Sequence, residues 1–253
     1  MELQEHGSGS PYSAVDELIR TRLDSAAADL LTGLVRPSVG FVVGTVGRET
    51  GCSIGGRPRS TDEFDWPCYR GRPMVLLAQL DCSRVGPLLG KEWMLPGDGH
   101  LLFFHDDEFV AEFSFDLGDD GCRVVHVPAE HLGHQPGDNL TDAVPALPLE
   151  PLALPSVPTL ADREVDPAAD RGVIAMLDFY EALSTRCPAP RHRLLGWCDS
   201  TDTPRPKGHR PLLQLEAEAV NNWGEIVNIS FWIRDEDLRA GNLGRVRRSY
   251  EVA

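Results

Sequence analysis

Three histidines near the middle of the chain come closest to a metal site by type and spacing. His131 and His134 stand three residues apart, with a glutamate just before His131, and His126 lies upstream of both. Zinc hydrolases hold their metal with two histidines one turn apart on a helix and a glutamate close by. Gly133 and Pro136 disfavour a helix here, because both residue types destabilise a helix interior. A metal-assisted hydrolase that uses these three histidines is therefore an alternative, and solvent-exposed loop histidines are the preferred interpretation.

The segment 51–55 reads Gly-Cys-Ser-Ile-Gly and matches the G-x-S-x-G pattern of serine hydrolases. That motif needs a strand before the serine and a helix after it. The turn residues that follow, beginning with Arg57-Pro58, exclude the helix. The acids in the segment 116–121 lack the spacing of a calcium-binding loop, and no glycine-rich loop opens a helix as a phosphate site would. We therefore expect no cofactor and no bound metal, and we favour a protein without catalytic activity.

Amphipathic helices are the clearest elements that could position these segments. At the N-terminus, apolar residues from Val15 to Leu34 recur with helical spacing, which predicts a helix over 13–36 that ends before Pro37. A second helix is predicted to begin at Asp166, with proline at the first helical position. Its expected apolar face consists of Val173, Met176, Leu177, Tyr180 and Leu183.

Short apolar and alternating runs typical of β-strands occupy two long segments, about 38–135 and 168–253. The segment between them, 136–167, is rich in proline. Proline fixes φ and removes a backbone N–H, so we expect an extended connection across the surface rather than a helix or a central strand. The predicted fold is a single α+β domain over residues 1–253. It is sheet-rich and mostly antiparallel, with two related halves packed together and an N-terminal amphipathic helix.

Five features recur in the same order in the two halves. The first half carries Gly55, Ser60-Thr61-Asp62, Arg72-Pro73, Gln79-Leu80-Asp81 and the pair Phe103-Phe104, and the second carries Gly196, Ser200-Thr201-Asp202, Arg210-Pro211, Gln214-Leu215-Glu216 and the pair Phe231-Trp232. Five matches in one order are hard to obtain by chance, although their spacings differ by several residues. They predict an internal duplication in which two related halves meet face to face.

The matching loops supply candidate binding residues. Asp62 and Asp202 close the two Ser-Thr-Asp triplets, and the tryptophans Trp66 and Trp223 stand in the same two halves. If the halves pack pseudo-symmetrically, these four residues line one shared groove. The alternative is that both aspartates cap local turns, as aspartate often does.

Aromatic residues should form much of the core and join the two halves. The residues concerned are Trp66, Phe103, Phe104, Trp223, Phe231 and Trp232. Because successive side chains of a strand point to opposite faces, two adjacent aromatic residues cannot share one face. One member of each adjacent pair must therefore face another layer.

Several short segments carry a family resemblance. They are Ile54-Gly55-Gly56-Arg57-Pro58, Trp66-Pro67, Arg72-Pro73-Met74, Leu77-Ala78-Gln79-Leu80-Asp81, Leu95-Pro96 through Gly99, Leu101 to Phe104, Leu194-Leu195-Gly196, Leu212-Leu213-Gln214-Leu215, Trp223-Gly224-Glu225, Phe231-Trp232-Ile233, Asp237-Leu238 and Gly241. Together they resemble the YwqG-like family, a bacterial family without known function. The resemblance implies a mixed, sheet-rich, bacterial cytoplasmic protein and carries over no catalytic residue. Glu225 departs from the family pattern, which commonly has aspartate there, and the N-terminal helix is not clearly covered.

The charge balance limits the partners. Lys plus Arg total 24 against 39 for Asp plus Glu, a formal net charge of -15. Such a surface repels nucleic acid and anionic membranes, whose binding depends on Lys and Arg, and it attracts basic partners. The first residues lack the pattern of a signal peptide and the cysteines are scattered singly, so we expect a cytoplasmic protein. The leading hypothesis is a non-catalytic protein-binding module, immunity-type or chaperone-like, that masks a basic protein partner.

Overall fold

One sheet of ten strands dominates the structure, a computed structural model that describes residues 10–45, 50–58, 64–106, 121–133, 146–203, 205–218, 223 and 225–252. The helices are α1 (Pro11–Arg22), α2 (Ser25–Leu34), α3 (Cys82–Leu89), α4 (Asp166–Arg186) and α5 (Asp235–Arg239). The strands are β1 (Arg36–Val43), β2 (Ser53–Ile54), β3 (Cys68–Tyr69), β4 (Arg72–Pro73), β5 (Val75–Asp81), β6 (His100–His105), β7 (Cys122–Val127), β8 (Leu147–Ser156), β9 (His192–Leu194), β10 (Arg210–Glu216), β11 (Ile226–Ile233) and β12 (Arg247–Val252). The sheet order is β12-β11-β10-β9-β1-β8-β2-β5-β6-β7, and β3 pairs with β4 in a separate hairpin. The strand pairs are antiparallel, which confirms the predicted sheet-rich, antiparallel architecture.

The helix predicted over 13–36 is in fact two helices. α1 ends at Arg22, and Leu23 adopts an extended backbone conformation with φ -115° and ψ 156°. α2 then begins directly after Asp24, whose carboxylate accepts a hydrogen bond from the Ala27 backbone N–H at 2.9 Å. The spacing of the apolar residues does not reveal this break, because α1 and α2 bury their apolar sides in one cluster with α4.

The proline-rich segment contains a central strand, which corrects the predicted surface connection. β8 lies between β1 and β2 and includes Pro148, Pro151 and Pro155. It pairs with β1 along the whole length of that strand. Proline therefore does not exclude this segment from the middle of the sheet. Whether the sheet tolerates a proline depends on the direction in which its missing N–H would point.

The register explains why the sheet tolerates these prolines. The Gly44 N–H donates to Pro148 O at 2.8 Å, so Pro148 and every second residue after it form the hydrogen-bonded positions toward β1. Pro151 and Pro155 occupy the alternate positions, where an N–H would point away from β1. On that side the pairing with β2 covers Leu147 and Pro148, and the Leu149 N–H donates to Cys52 O at 2.9 Å just before β2. The missing N–H groups of Pro151 and Pro155 thus fall beyond the end of this pairing, and that of Pro148 faces Gly44, one residue past the end of β1.

The second helix begins at Asp166 as predicted but buries a different side. Gly172 has non-helical backbone angles and divides α4 into two helical stretches. Met176 and Phe179 are buried, whereas Val173 and Leu177, which the sequence placed on the apolar face, are half exposed. Apolar residues occur on nearly every side of this helix, so their spacing alone cannot identify the side that packs on α1 and α2.

The two adjacent aromatic pairs divide between opposite faces, as predicted. Phe103 packs in the main core cluster against Phe231, with ring centroids 5.2 Å apart in an edge-on arrangement. Phe104 faces a smaller cluster, where its ring centroid lies 5.1 Å from that of Trp66. Trp232 likewise leaves the Phe231 face and donates its indole N–H to a serine hydroxyl of β12 at 2.7 Å.

The sheet curves until its two edge strands, β7 and β12, approach one another. The Cys122 thiol of β7 lies 3.5 Å from Val246 O, just before β12. Arg248 of β12 donates to Gly121 O at 2.9 Å and lies 3.3 Å from the Asp106 carboxylate. Side-chain contacts therefore link the two ends of the sheet.

Fragments 1–145 and 146–253 should not fold when expressed separately. Both neighbours of β1, β8 and β9, lie in the second fragment, and both neighbours of β8, β1 and β2, lie in the first. Thermal scans by circular dichroism should show no sharp transition for either fragment, in contrast to the intact chain. A cooperative transition in one isolated fragment would mean that the two halves are independent domains.

Replacing Phe231 by alanine should lower the free energy of unfolding by about 3–5 kcal/mol, because the side chain is fully buried against Phe103. Leu177→Ala is the control, since this residue is half exposed and should lose less than about 0.5 kcal/mol. Urea denaturation measures both values. Equal losses of unfolding free energy in the two variants would show that Phe231 does not contribute to core stability as expected.

Candidate functional site

Three of the four residues predicted to line a groove are described, and they lie in different surroundings. Trp66 packs in the smaller cluster and donates its indole N–H to a backbone carbonyl at 2.8 Å, whereas Trp223 packs against the main core cluster. Asp202 is exposed in a turn where its N–H donates to Ser200 Oγ at 3.1 Å. Asp62 lies outside the described residues. The shared groove therefore stays a prediction.

The three histidines of the metal alternative are only partly described. His126 Nε2 lies 2.7 Å from Asp98 O, a hydrogen bond that occupies this nitrogen. His131 ends a 3₁₀ turn, and His134 lies outside the described residues. Within the described ranges, no three His, Cys, Asp or Glu side chains are grouped so that they could hold a metal ion. The hydrolase alternative stays a prediction.

The serine of the G-x-S-x-G segment takes part in strand contacts. Ser53 of β2 donates to Gly55 O at 3.2 Å and accepts from Gln79 Nε2 at 3.1 Å. Gly55 and Gly56 then adopt φ values of 62° and 81°, so the chain turns instead of entering a helix. The geometry is that of a strand end rather than of a nucleophile elbow.

A row of polar side chains crosses three strands of the second half. Glu216 of β10 pairs with Asn228 of β11, which in turn pairs with Glu251 of β12. A neighbouring row on the same side of the sheet contains Gln214, Ser230 and Ser249. The intervening residues of these strands point into the main core. This part of the sheet therefore has one apolar side and one polar side.

The loop 197–203 brings a third carboxylate to the polar side. Asp199 accepts a hydrogen bond from the side-chain amide of Gln214. Ser200 Oγ donates to Glu251 Oε2 at 2.7 Å. The carboxylates of Asp199, Glu216 and Glu251 thus lie on one side of the sheet, and we call this surface the acidic face.

Two arginines hold the loop in place. Arg193 Nη2 lies 3.1 Å from Asp199 Oδ2, and Arg205 Nε lies 2.9 Å from Asp162 Oδ1. Arg205 also donates to Ser200 O at 2.6 Å. Of the three carboxylates of the acidic face, Asp199 is thus paired with Arg193, and Glu216 lies 3.7 Å from Arg191.

The electrostatics of the acidic face are visible at Glu216. Burial raises the pKa of Glu216 above its ordinary value, and the negative charges of Asp199 and Glu251 raise it further. The hydrogen bond from Asn228 and the charge of Arg191 act in the opposite direction without cancelling this rise. The main cause is burial, which disfavours the ionised form, and the two neighbouring carboxylates add to it. Ammonium and guanidinium groups are the ligands that such a surface can bind.

His192 is buried beside the acidic face and is fixed by two hydrogen bonds. The Glu216 backbone N–H donates to Nδ1 at 3.2 Å, which places the proton of the neutral ring on Nε2, 3.0 Å from Glu218 Oε1. Burial lowers the pKa of His192 although Glu218 acts to raise it. The ring is therefore neutral and hydrogen-bonded through both of its nitrogens, and it holds the end of β10 in position.

One side of α4 exposes apolar residues to solvent. Val173, Ile174 and Leu177 are 50%, 70% and 52% exposed. Asp178 and Glu181 are exposed on the same side, since they follow Ile174 and Leu177 by one helical turn. We call the surface formed by these five residues the α4 face. Contiguous exposed apolar residues bordered by charged ones are typical of protein-binding sites.

Residues 52–251 match the sequence profile of a family described as Domain of unknown function (DUF1963). The chain belongs to this family. The DUF1963 match includes α4 and the acidic face and leaves α1, α2 and β1 outside. No curated protein matches the chain. Across the described segments, no helix combines the length and apolar character needed to cross a bilayer.

Sequence reasoning missed both surfaces of the DUF1963 domain. The acidic face had a usable signal, because Gln214 and Glu216 in β10 and Asn228 and Ser230 in β11 alternate with apolar residues. The α4 face had none, since the apolar residues that it exposes look the same in the sequence as those that the helix buries.

Glu216→Gln should raise the melting temperature at pH 7–8, and the gain should shrink toward about pH 4, the ordinary range of a glutamate. The folded pKa lies above the unfolded one, so the ionised side chain costs stability at high pH and costs none once both states are protonated. Glu181→Gln, at an exposed position of α4, is the control, because it removes the same negative charge elsewhere on the chain. If the melting temperature of Glu216→Gln exceeded that of the wild type by the same amount from pH 4 to pH 8, the raised pKa of Glu216 would be contradicted.

Proposed function

We propose that the protein is a non-catalytic binding module whose partner is a basic protein. The observation that carries the proposal is the α4 face, where Ile174 is 70% exposed between two half-exposed apolar residues. Removing such side chains from water stabilises a complex by about 25 cal/mol per Å² of apolar area. A folded chain gains nothing internally from exposing them.

The charge of the surroundings supports a basic partner. Asp178 and Glu181 flank the apolar residues of the α4 face, and the whole chain carries a net charge of -15. The acidic face is a second surface that carries carboxylates, those of Asp199, Glu216 and Glu251. Complementary charge accelerates association and selects against partners of the wrong sign. An immunity-type or chaperone-like protein that masks a basic partner has these properties.

We further propose that the two halves arose by duplication and exchanged their first strands. Phe103 opposes Ala78 on β5, and Phe231 opposes Leu213 on β10, each next to a register shift at the same place. In the sheet order, the first strand of each half, β1 or β8, lies beside the other half. These regularities support a common origin. The matched Arg72-Pro73 and Arg210-Pro211 pairs do not, because the former belongs to the β3–β4 hairpin.

Comparison of the matching rows supports a functional origin of the acidic face. The row Glu216–Asn228–Glu251 corresponds to Asp81–His100–Val127 in the first half. The row Gln214–Ser230–Ser249 corresponds to Gln79–Leu102–Val125. The fold can thus use apolar residues where the second half has polar ones. Within DUF1963, we place the chain in the YwqG-like group and expect a bacterial, cytoplasmic protein.

Affinity capture from a native lysate of the source cells tests the proposed function. The immobilised full-length chain should retain basic proteins at about 50 mM salt and fewer at about 150 mM, since screening weakens steering. The variant I174E/L177E should lose them, although its added negative charge would favour a basic partner. The matched control A161E/A189E changes two exposed alanines by the same charge and should behave as wild type.

Two results would contradict the proposal. Retention of no protein by the wild type at low salt would argue against a basic partner. Equal retention by I174E/L177E and A161E/A189E would show that the α4 face is not the docking surface.

A further inference from the structure

A depression of about 480 Å³ opens between the segment before β10 and the helix α5. It is lined by Lys207, Gly208, Arg234, Asp235, Glu236 and Arg239. Three of these six residues are cations, in a chain where acids outnumber bases by 39 to 24. The depression uses none of the residues of the acidic face or the α4 face.

A tight turn presents Lys207 at the edge of the depression. The His209 N–H donates to Pro206 O at 3.1 Å, and Gly208 has φ 73°, the positive value that favours glycine at this position of the turn. Lys207 is exposed and makes no ion pair with any residue that the structure describes. Its ammonium group is therefore available to an external anion.

The two arginines of the lining are held only weakly. Arg234 lies 3.5 Å from Glu236, and Arg239 lies 4.0 Å from Asp235, with all four side chains about half exposed or more. Exposed pairs of this length contribute little stability. An anion with several oxygens can take over both guanidinium groups at small cost.

Arg210 adds a further positive charge, paired at long distance with two carboxylates, behind the wall of the depression. Its side chain is only 10% exposed, and Nη1 lies 3.5 Å from Asp235 and 3.6 Å from Glu92, beyond ideal hydrogen-bond length. Its Nε and Nη2 are buried and have no hydrogen-bond partner among the described residues. Burial lowers the pKa of neighbouring Arg36, and the charge of Arg210 lowers it further, whereas Asp235, Glu164 and Glu92 act to raise it.

We propose that this depression binds a phosphate group through Lys207, Arg234 and Arg239. A phosphate offers three or more oxygens and close to two negative charges, whereas a carboxylate offers two oxygens and one charge. Three separate cations around one opening match the former, and they outnumber the two carboxylates of the lining, Asp235 and Glu236. This site is independent of the proposed function, because a basic protein partner would use neither the same residues nor the same sign of charge.

Isothermal titration of the full-length chain at constant ionic strength tests the site, with inorganic phosphate, pyrophosphate and acetate as probes. Phosphate and pyrophosphate should bind saturably below about 20 mM, with pyrophosphate tighter, and acetate should not. Lys207→Gln should weaken pyrophosphate binding about fivefold or more. Lys91→Gln, which removes the other exposed lysine of the chain, should leave it unchanged.

Three outcomes would overturn the assignment. The first is no saturable binding of either phosphate probe, and the second is acetate binding as tight as that of pyrophosphate. The third is equal weakening by Lys207→Gln and Lys91→Gln, which would indicate a general charge effect. Both substitutions lie on exposed positions, so circular dichroism spectra equal to the wild type are expected and serve to verify the fold.

Discussion

The pairing of β1 with β8 is the constraint on which the rest of the sheet depends. Each of these strands has both of its neighbours in the other half of the chain, so the sheet is complete only when the two halves are present. The pairing also fixes the phase of the prolines in β8. A shift by one residue would direct the nitrogens of Pro151 and Pro155 toward β1, where strand hydrogen bonds would be lost. One register thus satisfies both the backbone and the core.

The inner and outer sides of the sheet obey different constraints. Phe103 and Phe231 meet inside the curved sheet, so any change there is limited by packing. The outer side of the sheet needs only to be covered by another segment of the chain. In the first half the segment around Trp66 provides an apolar cover, and in the second half the loop 197–203 covers polar residues through charged hydrogen bonds. The outer side is therefore where a sheet of this kind can acquire a binding surface without losing its fold.

The sequence predicted the features that depend on local pattern. The strands β5, β6, β7, β10 and β11 follow their apolar runs, and the opposite facing of Phe103 and Phe104 follows from strand geometry alone. The failures depend on partners distant in the chain. Whether a proline is tolerated in β8 depends on where β2 ends, and whether Leu177 is buried depends on the position of α1 and α2. The short strand β9 and the helix α5 carry too few residues for any periodic signal.

A chain of net charge -15 can attract basic partners and still hold an anion, because the two effects act over different distances. At physiological ionic strength the field of exposed charges decays over about 8 Å. Beyond that length an approaching molecule experiences the average charge, which is negative. Inside the depression, Lys207 and the two arginines of the lining outnumber its two acids, Asp235 and Glu236. The average charge therefore governs the rate of encounter, and the nearest side chains govern which ligand stays bound.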